Sequence, residues 1–591
     1  MDARLTTTRR KFVQGAGALG AAALGTGALA GSALASEKSA SDSTAADADV
    51  ADLTKPDYSS WLPAEPEISD ADIEEEVTAD VIVVGVGDSG VVAIRSAAEE
   101  GAKVLAFEKS ETKNTTGSGC AVIDGDIQAT WGRDGFLDKF ELAVKHQSEC
   151  SYHSKMPIFL RWEDEMKDVF DWFIEPSNPY IAPESFAEIP EESQDNYLFP
   201  FFYPMLPSYD YTKETLPTYP TTIGISNLSK IMADNLAKAE ETGNVEVRYG
   251  HFGTKLIMED GRCAGIYARN AATGKYVKAL ANKGVILTCG DYAQNPKMLK
   301  YFVPTVVECE IPVINPTVDV EGNFTASGDG LKMGVWAGVA IQPWHAPMIH
   351  HMGGGSGVGG RGVIGNNGYL WLNLDGKRFM NEDLPGQQLE NQVELQRDHV
   401  AYQFFDAAWP EQLEYFPAGH GNACYYREEE LPDYAASGLR ISVRTKKDIE
   451  DAVADGRCLQ ADTIEDLLAQ IEGKDTETAE ASIEHYNELC AAGMDTDFGK
   501  MAQRLFGLTN PPFYAAKCGV APILVCLGGL ESDEEAHTFD LDGNVLPGLY
   551  VAGNIQGSRF AVEYPISLKG LSVSMCVFYG YVAGKNAAQG L

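Results

Sequence analysis

The chain has 591 residues, a hydrophobic fraction of 44% and a formal net charge of −40, from 46 basic and 86 acidic side chains. This length predicts several domains, or one large cofactor-binding domain with insertions. The acidic balance argues against nucleic-acid binding, which needs Lys and Arg to replace phosphate counterions, and against an anionic membrane surface. The 11 cysteines form no CxxC pair, so the sequence predicts no iron–sulfur cluster, haem attachment, disulfide scaffold or other metal site.

Residues 1–35 have the pattern of an export signal. Arg9 and Arg10 precede a Gly/Ala-rich run to about Ala30, and Ala33-Leu34-Ala35 fits a cleavage site. The alternative is a membrane anchor, but a span needs about 20 strongly apolar residues. We therefore expect twin-arginine export to a periplasmic or other extracytoplasmic, cell-envelope-associated location. The mature chain is not expected to insert into the membrane.

A dinucleotide-binding fingerprint occupies Gly85-Val86-Gly87-Asp88-Ser89-Gly90. It follows the β-branched run Asp80–Val84 and precedes a helical pattern that ends at Gly101. The first glycine permits a tight turn, the second lets the backbone approach a pyrophosphate, and the third lets helix and strand pack closely. Two other GxGxxG matches, at 15–20 and 355–360, have no strand before them. The sequence therefore predicts that a dinucleotide binds at residues 85–90.

Glu108 ends the second predicted strand, where a carboxylate can accept hydrogen bonds from the adenosine ribose hydroxyls. A carboxylate at this place favours a free 2′-hydroxyl, so NADP is disfavoured. Two later strands end in turns that contain Gly290 and the pair Gly553-Asn554. Both resemble strands that FAD enzymes place beside the flavin, and this resemblance implies FAD as the dinucleotide.

Two segments in the middle of the chain identify a family. Gly328-Asp329-Gly330 and Asn373–Glu382 resemble segments of the fumarate reductase/succinate dehydrogenase flavoprotein superfamily, the second from its mobile capping domain. The resemblance implies an α/β fold, with a Rossmann-like doubly wound FAD-binding domain and an inserted α+β capping domain. It implies that substrate binds between cap and isoalloxazine, and that hydride passes between flavin N5 and a C=C or CH–CH unit.

The resemblance also sets the expected domain boundaries. They are a signal peptide at 1–35, an acidic linker at 36–77, FAD-binding segments at 78–340 and 506–591, and a capping domain at 341–505. Residues 178–220 form an aromatic- and proline-rich insertion, which we predict to be a long loop because prolines disfavour helices and central strands. This insertion either packs as a surface arm or lines an aromatic substrate pocket.

The expected cofactor contacts share glycine-rich turns and polar residues that follow strands. They are Gly85, Gly87, Asp88, Ser89, Gly90, Glu108, Lys109, Thr116, Gly117, Ser118, Gly119, Gly290, Asp329, Gly553, Asn554, Ser567 and Leu568. The stretch 114–120 has no His at the place where membrane-bound succinate dehydrogenases attach their flavin. We therefore expect FAD to bind without a covalent bond.

Three groups that soluble fumarate reductases use to bind a dicarboxylate are missing. Gly386 stands in place of an Arg in the cap, the segment 524–529 has no His, and Ser567 stands in place of a second Arg. Arg is the residue that bidentate carboxylate recognition uses. The sequence therefore predicts a substrate other than fumarate.

Tyr564 and Arg559 are the leading catalytic candidates, because both lie between two segments expected to touch the flavin. Tyr564 would protonate the substrate, and Arg559 would polarise a substrate carbonyl or hold the Tyr hydroxyl. His345 and His350 are further acid–base candidates. The alternatives are that Tyr564 is a packed aromatic residue and that both imidazoles are structural.

These motifs together predict an exported FAD-dependent oxidoreductase that reduces an activated C=C bond in anaerobic respiration. The substrate is expected to be an aromatic, enone or acrylate compound, and the electrons to come from an external donor such as a membrane-anchored multihaem cytochrome. One alternative is a 3-ketosteroid-type dehydrogenase that introduces a C=C bond. Another is an exported flavin electron carrier, although a carrier does not require the capping domain.

Overall fold

The computed structural model describes residues 56–132, 138–183, 189–200, 222–314, 316–349, 363–384, 386–416, 424–425, 443–565 and 568–591. Residues 59–591 form one compact unit. The predicted signal peptide, the first part of the acidic linker, residues 184–188 and 201–220 of the insertion, His350 and Ser567 lie outside the described residues.

The described secondary structure has strands and helices throughout the chain. The strands are β1 Ile73–Val84, β2 Val104–Glu108, β3 Gly119–Ala121, β4 Tyr180–Ile181, β5 Tyr197–Pro200, β6 Thr222–Ile225, β7 Val245–Tyr249, β8 His251–Glu259, β9 Arg262–Asn270, β10 Tyr276–Leu287, β11 Ala346–Ile349, β12 Leu370–Asn373, β13 Val400–Asp406, β14 Cys424–Tyr425, β15 Val443–Arg444, β16 Cys458–Ala461, β17 Phe513–Gly519, β18 Ile523–Leu527, β19 His537–Phe539 and β20 Val545–Val551. The helices are α1 Asp88–Glu99, α2 Asp126–Thr130, α3 Lys139–Glu149, α4 Met156–Ile174, α5 Leu228–Glu240, α6 Pro296–Phe302, α7 Pro304–Glu308, α8 Asp329–Trp336, α9 Gly386–Glu394, α10 Trp409–Gln412, α11 Lys446–Ala454, α12 Ile464–Ala469, α13 Thr476–Ala492 and α14 Leu571–Gln589.

A parallel sheet forms the centre of the FAD-binding domain. Its strands lie in the order β20-β10-β1-β2-β7, and Val83 of β1 pairs with Ile286 of β10 and Ala106 of β2. β19 adds to one edge and β9 to β10, both antiparallel. The end of β1 and all of β2 are buried, as expected for continuous apolar runs in a sheet covered on both faces. The predicted α/β fold is confirmed.

Helices α1 and α14 cross at very short range on one face of this sheet. A Cβ atom at Gly580 would lie 2.5 Å from the Ser89 carbonyl oxygen, and one at Gly584 would lie 2.4 Å from that of Ala93. Only glycine allows this approach. The crossing fixes the first turn of α1, which contains the fingerprint, against the apolar C-terminal helix.

Strand β1 begins at Ile73, before the predicted end of the acidic linker at residue 77. Glu75 lies 2.6 Å from Arg248, and Glu76 lies 3.0 Å from Lys278 of the neighbouring β10. Basic partners on β7 and β10 therefore accommodate two of the acidic side chains at the start of β1.

The first part of the aromatic insertion is sheet rather than loop. β5, at Tyr197–Pro200, lies between β4 and β6 in a four-stranded sheet of order β3-β6-β5-β4. The loop prediction is therefore wrong for these residues. Pro200 is the last residue of β5, where the missing N–H interrupts little of the ladder.

The capping domain contains the sheet β12-β13-β17-β16. β17 pairs with β13 and β16 along its length, so this sheet extends to Gly519, beyond the predicted boundary at 505. α12 and α13 cover the sheet, with Leu468 and Tyr486 in one apolar cluster with Phe404. β18 then returns to pair with β11.

The cap motif Asn373–Glu382 is a structural ion network. Arg378 donates to both carboxylate oxygens of Glu382 at 2.7 Å and to those of Asp495 at 3.0 and 2.7 Å. Lys500, which is also buried, lies 3.5 Å from Glu382. Two charges of each sign therefore balance within the cap.

Among the described helices, none is both long and apolar enough to cross a lipid bilayer.

Candidate active site

A cleft opens where the parallel strands β1, β2 and β10 end, the usual place for a ligand in a doubly wound sheet. It encloses about 1170 Å³ of free space, part of it open to solvent. Its lining includes the predicted residues Gly85, Gly87, Asp88, Ser89, Glu108, Lys109, Thr116, Gly290, Asp329, Gly553 and Asn554. The cleft therefore brings together most of the expected cofactor contacts.

The fingerprint has the geometry that a dinucleotide requires. Gly85 has a φ of +101°, and a Cβ there would lie 2.5 Å from the Thr288 carbonyl oxygen. A Cβ at Gly90 would lie 2.0 Å from the Gly85 carbonyl oxygen. Gly87 is the N-cap of α1 and supplies no capping side chain, so the first N–H groups of the helix remain for a pyrophosphate. FAD fits this turn.

Glu108 is buried at the end of β2 and lines the cleft. One of its carboxylate oxygens accepts from the Val86 N–H at 2.7 Å, and the other accepts from the Ser110 N–H at 2.8 Å. Glu108 thus holds the fingerprint turn directly. Each oxygen keeps a second lone pair that can accept from a ribose hydroxyl. The contact with the adenosine ribose stays a prediction.

Lys109 and Asp329 form an ion pair in the wall of the cleft. The Lys109 Nζ lies 2.8 Å from Asp329 Oδ2, and Lys332 lies 2.9 Å from Asp329 Oδ1. Burial acts to raise the pKa of Asp329, but the two lysines hold it well below its usual value. Asp329 is therefore a fixed negative charge at the start of α8.

The end of the cleft at Asn554 contains groups that the sequence argument missed. Asp291 accepts from the Ala293 N–H at 2.7 Å and from Asn554 Nδ2 at 3.3 Å, and burial raises its pKa to about 6. Cys289 and Cys576 also line this end. Asp291 and Cys289 adjoin the predicted Gly290, so the end of β10 was the available signal, whereas Cys576 comes from an unmarked position on α14.

Five predicted cofactor residues among the described ones do not line the cleft. Gly90 packs against Gly85 within the fingerprint. Gly117 faces Val573 of α14, where a Cβ would lie 2.7 Å from Cγ2. The Ser118 carbonyl accepts from the Ile225 N–H at 2.8 Å, and Gly119 begins β3. Leu568 is buried in the apolar core. Their roles are packing and sheet formation next to Thr116, which does line the cleft.

Arg559 is a buried cation without a carboxylate partner among the described residues. It is 1% exposed, its Nε donates to the Gln556 carbonyl at 3.3 Å, and its Nη1 lies 3.9 Å from Cys576 Sγ. Arg residues are almost never fully buried unless paired. Cys576 borders the cleft, so Arg559 lies directly behind one of its lining residues.

The backbone around Arg559 is strained and firmly held. Ser558 and Val562 have φ values of 68° and 63°, which is rare for a residue with a side chain and rarest for a β-branched one. The His146 ring contacts the Arg559 carbonyl at 3.1 Å, and Gln342 donates to that of Phe560 at 2.9 Å. Such strain persists where the surroundings over-determine it, which is common at functional sites.

Tyr564 lies in the apolar core at the N-terminus of α14 and is 2% exposed. Its phenolic oxygen accepts from the Ser572 N–H at 3.1 Å. Among the described residues no acceptor bonds its O–H. Burial raises the pKa of Tyr564 above its usual value, so the phenol holds its proton at neutral pH. Tyr564 does not line the cleft itself, and its acid role stays a prediction.

His345 does not have the geometry of an acid. Its Nδ1 lies 2.6 Å from the Tyr292 hydroxyl and its Nε2 lies 3.0 Å from the Gln342 carbonyl, which can only accept. Its ring stacks on Phe302 at 4.0 Å, and burial lowers its pKa to about 3. Both nitrogens of the neutral ring are used, so we assign His345 a packing role instead of the predicted acid role.

The cap contacts the strained segment at residues 558–564 through Glu563. Gln388 and Asn391, both on α9, donate to its two carboxylate oxygens. Gly386, which stands where fumarate reductases have an Arg, begins this helix. Helix α9 is therefore anchored to the strained segment one residue from Tyr564.

Comparison with known proteins agrees with this geometry. A family model described as an FAD binding domain matches residues 80–567. The chain belongs to this family. It is a member of the fumarate reductase/succinate dehydrogenase flavoprotein superfamily, its cofactor is FAD, and it is an oxidoreductase acting on CH–CH or C=C groups, as the motifs predicted.

Similar curated proteins include enzymes with different substrates. Vinyl phenol reductase of Lactiplantibacillus plantarum is 23% identical, over 86% of this chain and 96% of that protein. Fumarate reductase (cytochrome) of Shewanella frigidimarina is 24% identical, over 87% of this chain and 77% of that protein. Digoxin reductase of Eggerthella lenta is 25% identical, over 88% of each.

Two solved structures share the fold. A 3-ketosteroid-Δ4-(5α)-dehydrogenase from Rhodococcus jostii RHA1 has a TM-score of 0.63 at 20% identity, covering 89% of this chain and all of that one. The open form of a flavocytochrome c3 fumarate reductase has a TM-score of 0.55 at 21% identity, covering 94% and 83%.

Proposed function

We propose that this enzyme reduces the activated C=C bond of a compound with one polar oxygen near the double bond, such as an aryl acrylate, a vinyl phenol or an enone. The observation that carries this proposal is the buried guanidinium of Arg559, which has no carboxylate partner among the described residues and lies 3.9 Å from the cleft residue Cys576. A substrate carbonyl, carboxylate or phenolate oxygen would complete its hydrogen bonds.

The charge of the site disfavours a dicarboxylate. Fumarate would need two cationic clamps, and the residues at the family's clamp positions, Gly386 and 524–529, carry no charge. The flavin end adds Asp291, which repels a second anion where it is ionised. The similarity to reductases of vinyl phenol and digoxin supports a less charged substrate.

In this proposal Arg559 and Tyr564 have different roles in the reduction. FAD, when bound, supplies the hydride. Arg559 binds the substrate oxygen and stabilises the negative charge that develops there. Tyr564 gives its proton to the neighbouring carbon, and the Ser572 N–H at the start of α14 stabilises the phenolate that remains. The cap, attached at Glu563, excludes water.

We also propose that the enzyme is exported by the twin-arginine route and works in the cell envelope in anaerobic respiration. The Arg9-Arg10 pattern supports export. Outside the cytoplasm NAD(P)H is absent, so electrons would come from an external carrier such as a membrane-anchored multihaem cytochrome. The strongly acidic chain suits a donor with a basic docking face.

Rapid mixing tests the reaction and its direction. Holoenzyme reduced anaerobically with dithionite is mixed with 4-vinylphenol, an aryl acrylate, a cyclic enone or fumarate, and flavin reoxidation is followed by absorbance. We expect at least one of the first three to reoxidise the flavin at least 100-fold faster than fumarate. Fumarate as the fastest oxidant would overturn the proposal. Faster bleaching of oxidised enzyme by a saturated ketone would favour the ketosteroid-type dehydrogenase.

A further inference from the structure

Asp88 occupies an unusual place for a carboxylate. It is the first residue of α1, between two of the fingerprint glycines, and its side chain lines the cleft where the N–H groups of the helix face the pyrophosphate. A carboxylate at a helix N-terminus is normally favourable. Here the same helix end must also receive the two negative charges of a pyrophosphate, so an ionised Asp88 would compete with the cofactor.

The surroundings of Asp88 do little to support its charge. Its Oδ1 is buried and accepts no hydrogen bond. The Thr116 N–H bonds the carboxylate and Lys113 is the nearby cation, but Lys113 also donates to Ser229 at 2.8 Å. The other titratable groups facing Asp88 are the thiols of Cys120 on β3 and Cys576 on α14. Burial outweighs these contacts and raises the pKa of Asp88 to about 7.

A protonated Asp88 removes the conflict. The neutral acid has one O–H donor, its Oδ1 is buried without a partner, and Asp88 is among the residues that line a cleft whose ligand is rich in acceptor oxygens. A hydrogen bond from this group would replace a repulsion by an attraction. The pyrophosphate charge in turn disfavours ionisation, so the carboxyl holds its proton more tightly with FAD than without it.

We propose that Asp88 binds FAD as the neutral acid and donates a hydrogen bond to the cofactor, so that FAD affinity is coupled to proton uptake. The sign follows from linkage. At pH values below the range in which Asp88 of the FAD-free protein titrates, the proton is already present, and the affinity for FAD does not change with pH. Above it, binding takes up one proton, so the FAD dissociation constant rises up to tenfold per pH unit. The coupling concerns cofactor retention and is independent of the substrate proposed above.

Holoenzyme dilution tests this coupling. The holoenzyme is diluted in series at pH 6.0, 7.0, 8.0 and 8.5, and the fluorescence of released FAD gives its dissociation constant. We expect the wild-type constant to rise at least tenfold between pH 7.0 and 8.5. Asp88→Asn and Asp88→Ser keep a neutral donor and should hold a constant value across this range.

Asp291→Asn is the matched control, because Asp291 is a second buried carboxyl in the same cleft with a pKa of about 6. This variant should keep the wild-type slope above pH 7. A wild-type constant that changes less than twofold would overturn the proposal, and so would equal slopes in wild type and Asp88→Asn. If both Asp88 variants lose the fold, the infrared band of a protonated carboxyl in wild-type holoenzyme at pH 8 decides. An Asp88 isotope-edited spectrum without that band overturns the proposal.

Discussion

Two buried arginines show how differently the same side chain can be used. Arg95 donates to Glu99 at 2.7 Å and to Asn235 at 2.8 Å, with Glu175 at 3.4 Å, so its charge is matched inside the FAD-binding domain. Arg559 is equally buried but bonds a carbonyl and a thiol. A protein retains an unmatched buried charge at a cost to stability. That cost is understandable where a ligand completes the site.

We therefore expect Arg559→Met to uncouple stability from activity. Turnover should fall by about 10²–10³-fold, as for loss of a charge-stabilising donor, while the melting temperature of the holoenzyme stays the same or rises. Arg95→Met is the control, because it removes the donor to the buried Asn235 and the partner of Glu99, and it should lower the melting temperature with turnover per folded enzyme unchanged. Steady-state kinetics and thermal unfolding measure both. A strongly destabilised Arg559→Met that keeps its turnover would refute the assignment.

The Tyr564 hydroxyl is expected to matter for proton transfer alone. Tyr564→Phe should retain FAD and be reduced normally by dithionite, but its reoxidation by substrate should slow by at least about 100-fold. Tyr579→Phe removes another buried hydroxyl, which donates to the Ile158 carbonyl at 2.7 Å, and serves as the control. Stopped-flow absorbance at the flavin band distinguishes them. Reoxidation of Tyr564→Phe within a few-fold of wild type would leave Tyr564 as packing.

At the scale of elements, the cap motif and the catalytic segment have different functions. The sequence of the motif identified the family, yet its Arg378 and Glu382 bond each other and Asp495 rather than lining the cleft. The motif builds the cap, and α9 then attaches the cap to Glu563. Loss of the motif should therefore be seen first in the stability of the cap.

Arg378→Met should cost about 3–5 kcal/mol, because it removes the guanidinium that pairs with the buried carboxylates of Glu382 and Asp495. Arg397→Met removes an exposed arginine that lies 3.2 Å from Asp375, and such surface pairs are worth about 0–1 kcal/mol. Denaturant unfolding of the two variants, followed by tryptophan fluorescence, measures the difference. Equal stabilities would show that the network does not hold the cap.

Sequence patterns predicted the parts of the site that local geometry determines. The glycines of the fingerprint, Glu108 and the turns at Gly290 and Gly553 follow from what a strand, a tight turn and a helix N-terminus require. Contacts made across distant elements left no such pattern. The partners of His345, the approach of Cys576 to Arg559 and the continuation of the cap sheet to Gly519 depend on packing that no single segment contains.

The whole molecule has a large negative charge and also contains buried carboxyl groups, for which burial favours the protonated form. Burial raises the pKa of Glu163 and of Glu390 to about 8 each. Both values lie above the unfolded value of about 4.3. The folded state thus binds more protons in this range, so this stabilisation is fully present below about pH 4 and is lost as pH rises towards 8.

We therefore expect the protein to become more stable on mild acidification. Lowering the pH from 8.5 to 5.5 should raise the melting temperature by about 3–6 °C, and release of self-repulsion at a net charge of −40 acts in the same direction. Glu390→Gln removes one of the titrating groups and should show a smaller pH dependence. Differential scanning fluorimetry across this range gives both slopes. A melting temperature that falls on acidification would contradict this expectation.

The aromatic contact of Trp61 sets a limit on N-terminal processing. The Trp61 ring lies 5.6 Å from that of Phe302, which stacks on His345 in the wall behind the cleft, and the Pro63 carbonyl accepts from Trp336 of α8. Proteolytic trimming that stops before Trp61 leaves this wall intact. A cut after Pro63 strips away the aromatic cover and uncovers Phe302. Residue 61 therefore separates trimming that keeps this aromatic packing from trimming that removes it.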